Sequence, residues 1–235
     1  MKKGDYTRTI YGQSKSLSNT FSVLMRNVYS WMAGGLLMTA LAALCVVKYV
    51  PQMSSTAFWA LLIAEIALVF ILSARISKMS FLTAGLMFAA YAILNGVTMS
   101  VIFVAYTAES IAQTFFITAG TFGGMSLLGY VIKKDLSTLG RILYMALIGL
   151  IIATVVNLFM HSSGMTMIIN YAGVLIFVGL TAYDTQKIKQ MLLACHEDGV
   201  TDKTNKLALL GSLILYLDFI NLFLYLLRFL GKSRR

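Results

Sequence analysis

The chain is poor in charge, proline, cysteine and histidine, and each shortage removes a class of protein. Of 235 residues only 12% are charged and 59% are apolar, where globular domains carry about 25% and roughly 45–50%. A soluble fold of this size needs more polar surface than that to cover its core. One proline and 14 phenylalanines exclude a disordered chain. The two cysteines, Cys45 and Cys195, show no metal-ligand spacing and do not make a disulfide framework. A polytopic membrane protein is the class that remains.

Seven apolar runs are long enough to cross about 30 Å of hydrocarbon: 28–47, 56–74, 81–105, 111–132, 142–161, 167–186 and 207–230. The gaps between them are short, so neighbouring helices are expected to be antiparallel. The expected fold is all-α, a seven-transmembrane-helix bundle over residues 28–230. It is preceded by a tail over 1–27 with no signal-peptide pattern and followed by a short basic tail over 231–235. Gly34-Gly35 and the Gly120…Gly124 pair suit close helix approach.

The net charge of +10 would suggest nucleic acid in a soluble protein. Here the basic residues lie in alternate gaps, where positive charge marks the cytoplasmic side, and no nucleic-acid partner is expected. The N-terminal tail has five Lys and Arg, the 75–80 gap two, the 133–141 gap three and the 187–206 gap four; the opposite gaps hold Lys48 alone. The N-terminus is therefore expected in the cytoplasm. The basic end formed by Arg228, Lys232, Arg234 and Arg235 resists this pattern. Either the bias of the earlier loops overrides it or the last segment is re-entrant, and seven crossings are the favoured reading.

Of nine acids, five (Asp5, Asp135, Glu197, Asp198, Asp202) lie in tails or gaps and Glu109 in a short turn. Glu65, Asp184 and Asp218 fall inside apolar runs. A carboxylate there costs at least about 2.5–3.5 kcal/mol on insertion scales unless it is paired, protonated or hydrated. The polar turn between the last two spans covers His196–Lys206, centred on residue 201. Asp184 is seventeen residues before that centre and Asp218 seventeen after it, so an antiparallel hairpin puts the two at one depth. Touching carboxyls in a low-dielectric site cannot both ionise cheaply; they share a proton and titrate as a unit. Such a pair suits a proton sensor, and when ionised it offers hard oxygen ligands to Ca²⁺.

Arg75 ends the second span on the side toward which Asp184 lies. It either pairs with Asp184 and closes a pathway or snorkels to the interface. Glu65, ten residues earlier on the same helix, lies about 15 Å away along the axis and is a candidate relay step along a path, as is Asn221. Deprotonation of the Asp pair would create a cation site and also strengthen a closing pair with Arg75, so the direction of a pH response stays open.

These residues also carry a family resemblance. Leu180-Thr-Ala-Tyr-Asp-Thr-Gln-Lys-Ile-Lys189 and Leu215-Tyr-Leu-Asp-Phe-Ile-Asn-Leu-Phe-Leu224 resemble the two signature segments of the Bax inhibitor (transmembrane Bax inhibitor motif) family. Lys133-Lys-Asp-Leu-Ser137 with Gly140-Arg141, Val156-Asn157 and Ser73-Ala-Arg75 fit the same pattern. The chain is similar to the bacterial YccA-like branch from about residue 20 to its end. The resemblance implies a seven-helix fold with a central last helix and a pH-sensitive Ca²⁺ leak. Asp184 and Asp218 would be the sensor and Arg75 the lock, with no cofactor beyond Ca²⁺ as a permeant or transiently bound ion. It also implies the bacterial inner membrane, with a membrane protease as a candidate partner, since bacterial members are associated with membrane proteolysis and eukaryotic ones with cell-death suppression.

Other classes fit less well, and the chain is not expected to be an enzyme. Intramembrane aspartyl proteases share the Tyr183-Asp184 pattern, but their second Asp follows a Gly-x-Gly. Here Asp218 follows Leu215-Tyr216-Leu217, and Pro51 is the sole proline, so their Pro-Ala-Leu segment is absent. A retinal Schiff base needs a lysine within a span, and all twelve lie in tails, gaps or span ends. His161 and His196 belong to opposite sides, so no histidine-rich site forms. A proton-coupled cation transporter would show a repeated or Pro/Gly-broken pair of spans, and none is evident. A non-conducting regulator of a membrane protease remains as the other alternative.

Overall fold

A computed structural model describes residues 3–49, 54–195 and 199–234, with side chains described from residue 19 onward. Pro51, His196, Glu197 and Asp198 lie outside the described residues. The helices are α1 (Lys3–Tyr49), α2 (Ser55–Arg75), α3 (Phe81–Met99), α4 (Val101–Ala105), α5 (Ala108–Val131), α6 (Ser137–Met160), α7 (Ser163–Ala194) and α8 (Asp202–Leu230). Among the described residues seven helical segments are long and apolar enough to cross a membrane, α3 and α4 counting as one. The chain is an all-α polytopic membrane bundle.

α1 is helical far upstream of the apolar run that begins at Val28, and its membrane-length stretch starts at Asn19. The other helices start where their sequences cap them. Ser54, Ser80, Thr107, Ser162 and Thr201 each accept a hydrogen bond from a first-turn amide, satisfying a donor that the helix leaves free. Asn157 organises the α6–α7 turn: its Oδ1 accepts from the Ser162 amide at 3.1 Å and its Nδ2 donates to Thr166 at 2.8 Å.

α8 is the axis of the bundle. In its most apolar window 67% of residues are buried, against 6% in α6, so α6 is largely lipid-facing while α8 packs against α1, α3, α5 and α7. Leu209, Leu213, Leu215, Tyr216, Leu222 and Leu227 along it are almost fully buried. Its polar side chains Ser212, Tyr216 and Asp218 are buried with them, as polar groups kept from lipid by neighbouring helices are.

α8 runs unbroken to Leu230 and the chain then straps back over the α4–α5 turn. Thr107 donates its amide to the Lys232 carbonyl at 3.2 Å, and Arg234 donates to Ala105 at 2.9 Å. The Arg234 guanidinium also donates to the Phe103 carbonyl at 3.0 Å. The last segment therefore crosses the bundle rather than re-entering, and its basic end lies at the opposite end of the bundle from the start of α1's membrane stretch.

Two expectations are corrected by the packing. The turn between α7 and α8 is shorter than the polar stretch His196–Lys206. Thr201 and Thr204 form a reciprocal capping box, and Asp202–Lys206 already belongs to the first turn of α8, where Lys206 pairs with Asp202 at 3.1 Å. The glycines also divide differently. Gly35 lies against Phe88, but Gly34, Gly120 and Gly124 have nothing within 4 Å of a Cβ position. The close approaches are made instead by Gly129 against the Ala182 carbonyl, Gly140 against the Tyr183 ring and Gly96 against the Thr39 carbonyl.

Candidate functional site

Asp184 of α7 and Asp218 of α8 are 2% and 5% exposed, and their carboxyls are within hydrogen-bonding reach of each other. The depth argument arrives at the right pair by an inexact route. Asp184 lies ten residues before the end of α7 and Asp218 sixteen after the start of α8. At 1.5 Å per residue that difference is about 9 Å; α8 projects beyond α7 at the turn, and the arms are not level.

The two carboxyls have unlike surroundings. Tyr144 of α6 reaches Asp184 Oδ1 at 3.0 Å and Oδ2 at 3.2 Å, and its hydroxyl donates there. The rings of Tyr144 and Tyr183 pack edge to face at 6.0 Å. The Lys187 ammonium, one turn beyond Asp184, lies 5.9 Å from one ring and 5.8 Å from the other, close enough to act electrostatically on Asp184. Asp218 Oδ2, by contrast, is buried with no donor among the described residues. Contact between two carboxyls becomes a hydrogen bond only when a proton lies between them.

Gly140 at the start of α6 leaves room for the Tyr183 ring, and Gly129 of α5 lets that helix touch the backbone of α7 at Ala182. Gln186, two residues past Asp184, fastens the α5–α6 loop. Its Oε1 accepts from the Leu136 amide at 2.9 Å, and its Nε2 donates to the Lys134 and Ile132 carbonyls at 2.9 and 3.3 Å. On the α5 side, Ser126 meets Thr185 at 3.1 Å and Tyr29 at 2.7 Å. The pair is thus built into α7 and α8 and braced from α1, α5 and α6.

Arg75 does not join it. The side chain is exposed at the end of α2, and among the described residues no hydrogen bond or ion pair involves it. Its exposure accords with the second of the two sequence readings, and the cation that does act on Asp184 is Lys187. Asn221 also stands apart, its amide donating to the Leu217 carbonyl of its own helix at 2.8 Å.

Glu65 belongs to a second polar cluster on the other face of α8. It is 8% exposed and accepts from the Thr98 hydroxyl at 2.7 Å. Tyr216 donates to Asn95 Oδ1 at 3.1 Å and meets the Thr39 hydroxyl at 2.7 Å. Glu65, Asn95 and Thr98 line a cavity of about 360 Å³ toward the far end of the bundle, where Arg228 and Tyr106 also border it.

Tyr144 carries no signal that could single it out beforehand, being one aromatic among many in an apolar run. Gln186 and Lys187 lie within the signature segment 180–189, but their residue types alone do not show what they contact. A Ca²⁺ ion takes six to eight oxygens. The two aspartates offer four, and no third Asp, Glu, His or Cys completes a cluster among the described residues.

A bundle of seven membrane-length helices with an acid pair buried between the last two defines the class. The family model described as "Inhibitor of apoptosis-promoting Bax1" matches residues 21–235. The chain is 47% identical over 217 residues to the inner membrane protein YbhL of Escherichia coli (strain K12), covering 89% of this chain and 92% of that protein. It is 46% identical over 215 residues to a protein of Borreliella burgdorferi, with the same coverage, and 42% identical over 240 residues to RP147 of Rickettsia prowazekii, covering 98% and 99%. The chain belongs to the Bax inhibitor family.

Proposed function

We propose that this protein is a pH-responsive, Ca²⁺-permeable leak of the bacterial inner membrane, with its N-terminus in the cytoplasm and gated by Asp184 and Asp218. It is read as a conduit and not as a catalyst. The observation that carries this reading is the contact of two buried carboxyls, of which only Asp184 has a donor from another residue among the described residues. With a proton between them the carboxyls tie α7 to α8. Without it, two like charges share a buried site, which favours separation of the helices or entry of a cation. The family membership and the inner-membrane naming of YbhL support the location, and the excess of Lys and Arg at one end supports the orientation.

The test is Ca²⁺ flux into liposomes across pH for the wild type, Asp184→Asn and Asp218→Asn. Each variant should lose the wild-type pH dependence, because an amide neither binds nor releases a proton in this range. An unchanged pH profile in both variants rejects the sensor. Wild-type protein that passes no Ca²⁺ at any pH favours the non-conducting regulator, and flux that needs a counter-gradient of protons favours a transporter.

A further inference from the structure

A cleft of about 530 Å³ opens sideways between α1 and α5, and neither aspartate lines it. Arg26 and Tyr130 line one end of it, and Met32 and Phe122 line the other. Along the helices the two ends are six residues apart on α1 and eight on α5, about 9–12 Å. The cleft therefore grades from polar to apolar along the direction in which the membrane does. Its polar end lies where α5 stops and the membrane stretch of α1 starts.

Arg26 is exposed and makes no hydrogen bond or ion pair among the described residues, and the Tyr130 phenol makes no hydrogen bond among them. Lys189 adds a second positive charge at this end. Its ammonium lies 4.8 Å from the centre of the Tyr130 ring and donates to the Tyr130 carbonyl at 2.7 Å. Gly123 keeps the groove open, with nothing within 4 Å of a Cβ position there. Below it, the Tyr29–Ser126 hydrogen bond already occupies both hydroxyls, leaving the free donors at the Arg26–Tyr130 end.

We propose that the α1/α5 cleft binds an anionic phospholipid, with the phosphate at the Arg26–Tyr130 end and one acyl chain along Met32 and Phe122. Two cations with no acid opposite them among the described residues select a negative headgroup, as basic pockets between transmembrane helices do. The open, apolar half of the groove selects a chain attached to that headgroup over a free anion. This site is independent of the leak reading.

The test is native mass spectrometry of the full chain released from mixed micelles of phosphatidylglycerol and phosphatidylcholine with matched acyl chains. Wild-type protein should retain phosphatidylglycerol in preference. Arg26→Gln should lower that retention about fivefold, the effect of one basic residue at an anionic surface. Lys133→Gln removes the same charge outside the cleft and should leave retention unchanged. Gly123→Leu keeps every charge and should also lower retention, by filling the groove. Equal losses in Arg26→Gln and Lys133→Gln overturn the proposal in favour of general surface attraction, as does the absence of any preference for phosphatidylglycerol. Inorganic phosphate raising the melting temperature as much as phosphatidylglycerol vesicles do would show an anion site and not a lipid site. Arg26 and Gly123 are both exposed, and an unchanged melting temperature in lipid-free detergent confirms that each variant is folded.

Discussion

Tyr216 and Asp218 lie two residues apart on α8 and serve different sides of it. At about 100° per residue their side chains diverge by about 200°. Tyr216 meets Thr39 and Asn95 on the side of α1 and α3, and Asp218 meets Asp184 of α7. The central helix therefore separates two buried polar clusters. One holds the Asp pair, near the middle of α8. The other holds Glu65 and opens toward the far end.

Tyr144 holds the Asp pair from outside the hairpin, and Tyr144→Phe isolates that role. The substitution removes one hydroxyl and leaves the ring against Tyr183 and Lys187. Loss of a hydrogen bond to a buried carboxyl should cost about 1–2 kcal/mol, read from thermal unfolding in detergent. The variant should also change the pH profile of Ca²⁺ flux, because Asp184 loses its one donor from α6. Tyr171→Phe is the control: that ring packs on Phe229 and makes no hydrogen bond among the described residues. A Tyr144→Phe protein indistinguishable from Tyr171→Phe in both measurements removes Tyr144 from the site.

The parts of this site differ in how far the sequence reveals them. Asp184 and Asp218 stand out because an acid in an apolar run has few cheap explanations, and one short turn joins their helices. Tyr144 lies 40 residues before Asp184 on another helix, and a tyrosine in a membrane span is unexceptional. Arg75 is open to two readings from sequence, since a cation at a helix end has an ordinary place in the headgroup region and needs no acid. The seven spans follow from run lengths alone. The rotation of each helix does not, and for that reason Gly120 and Gly124 resemble contact residues while Gly129 makes the contact.

That rotation is testable by adding one methyl group. Gly129→Ala would drive a Cβ into the Ala182 carbonyl, a backbone atom that cannot turn away. α5 would have to move off α7, at a cost of about 1–3 kcal/mol for overpacking. Gly120→Ala, on the same helix in open space, should be neutral or slightly stabilising, since alanine favours a helix over glycine by roughly 0.5–1 kcal/mol. Melting temperatures of the two variants compare them directly. Equal behaviour would mean that α5 does not present Gly129 to α7.

The start of α6 gives a pH dependence outside the membrane. Asp135 is exposed, and its carboxylate accepts from the Ser137 hydroxyl at 2.7 Å and the Ser137 amide at 2.9 Å. These bonds, the hydroxyl first, hold its pKa below the usual carboxylate value, and the negative charge also complements the positive end of the helix. A depressed pKa means that the folded form favours the ionised group. The contribution to stability is therefore fully present above about pH 4, the ordinary range of an aspartate, and is lost as pH falls through the lower folded value. Asp135→Asn should reduce the hydrogen-exchange protection of the first-turn amides of α6 at neutral pH. The gap from wild type should close in acid as the wild-type carboxylate takes up its proton. A gap that persists undiminished in acid would assign the effect to the shape of the side chain, and no gap at neutral pH would show that this carboxylate does not hold the helix end.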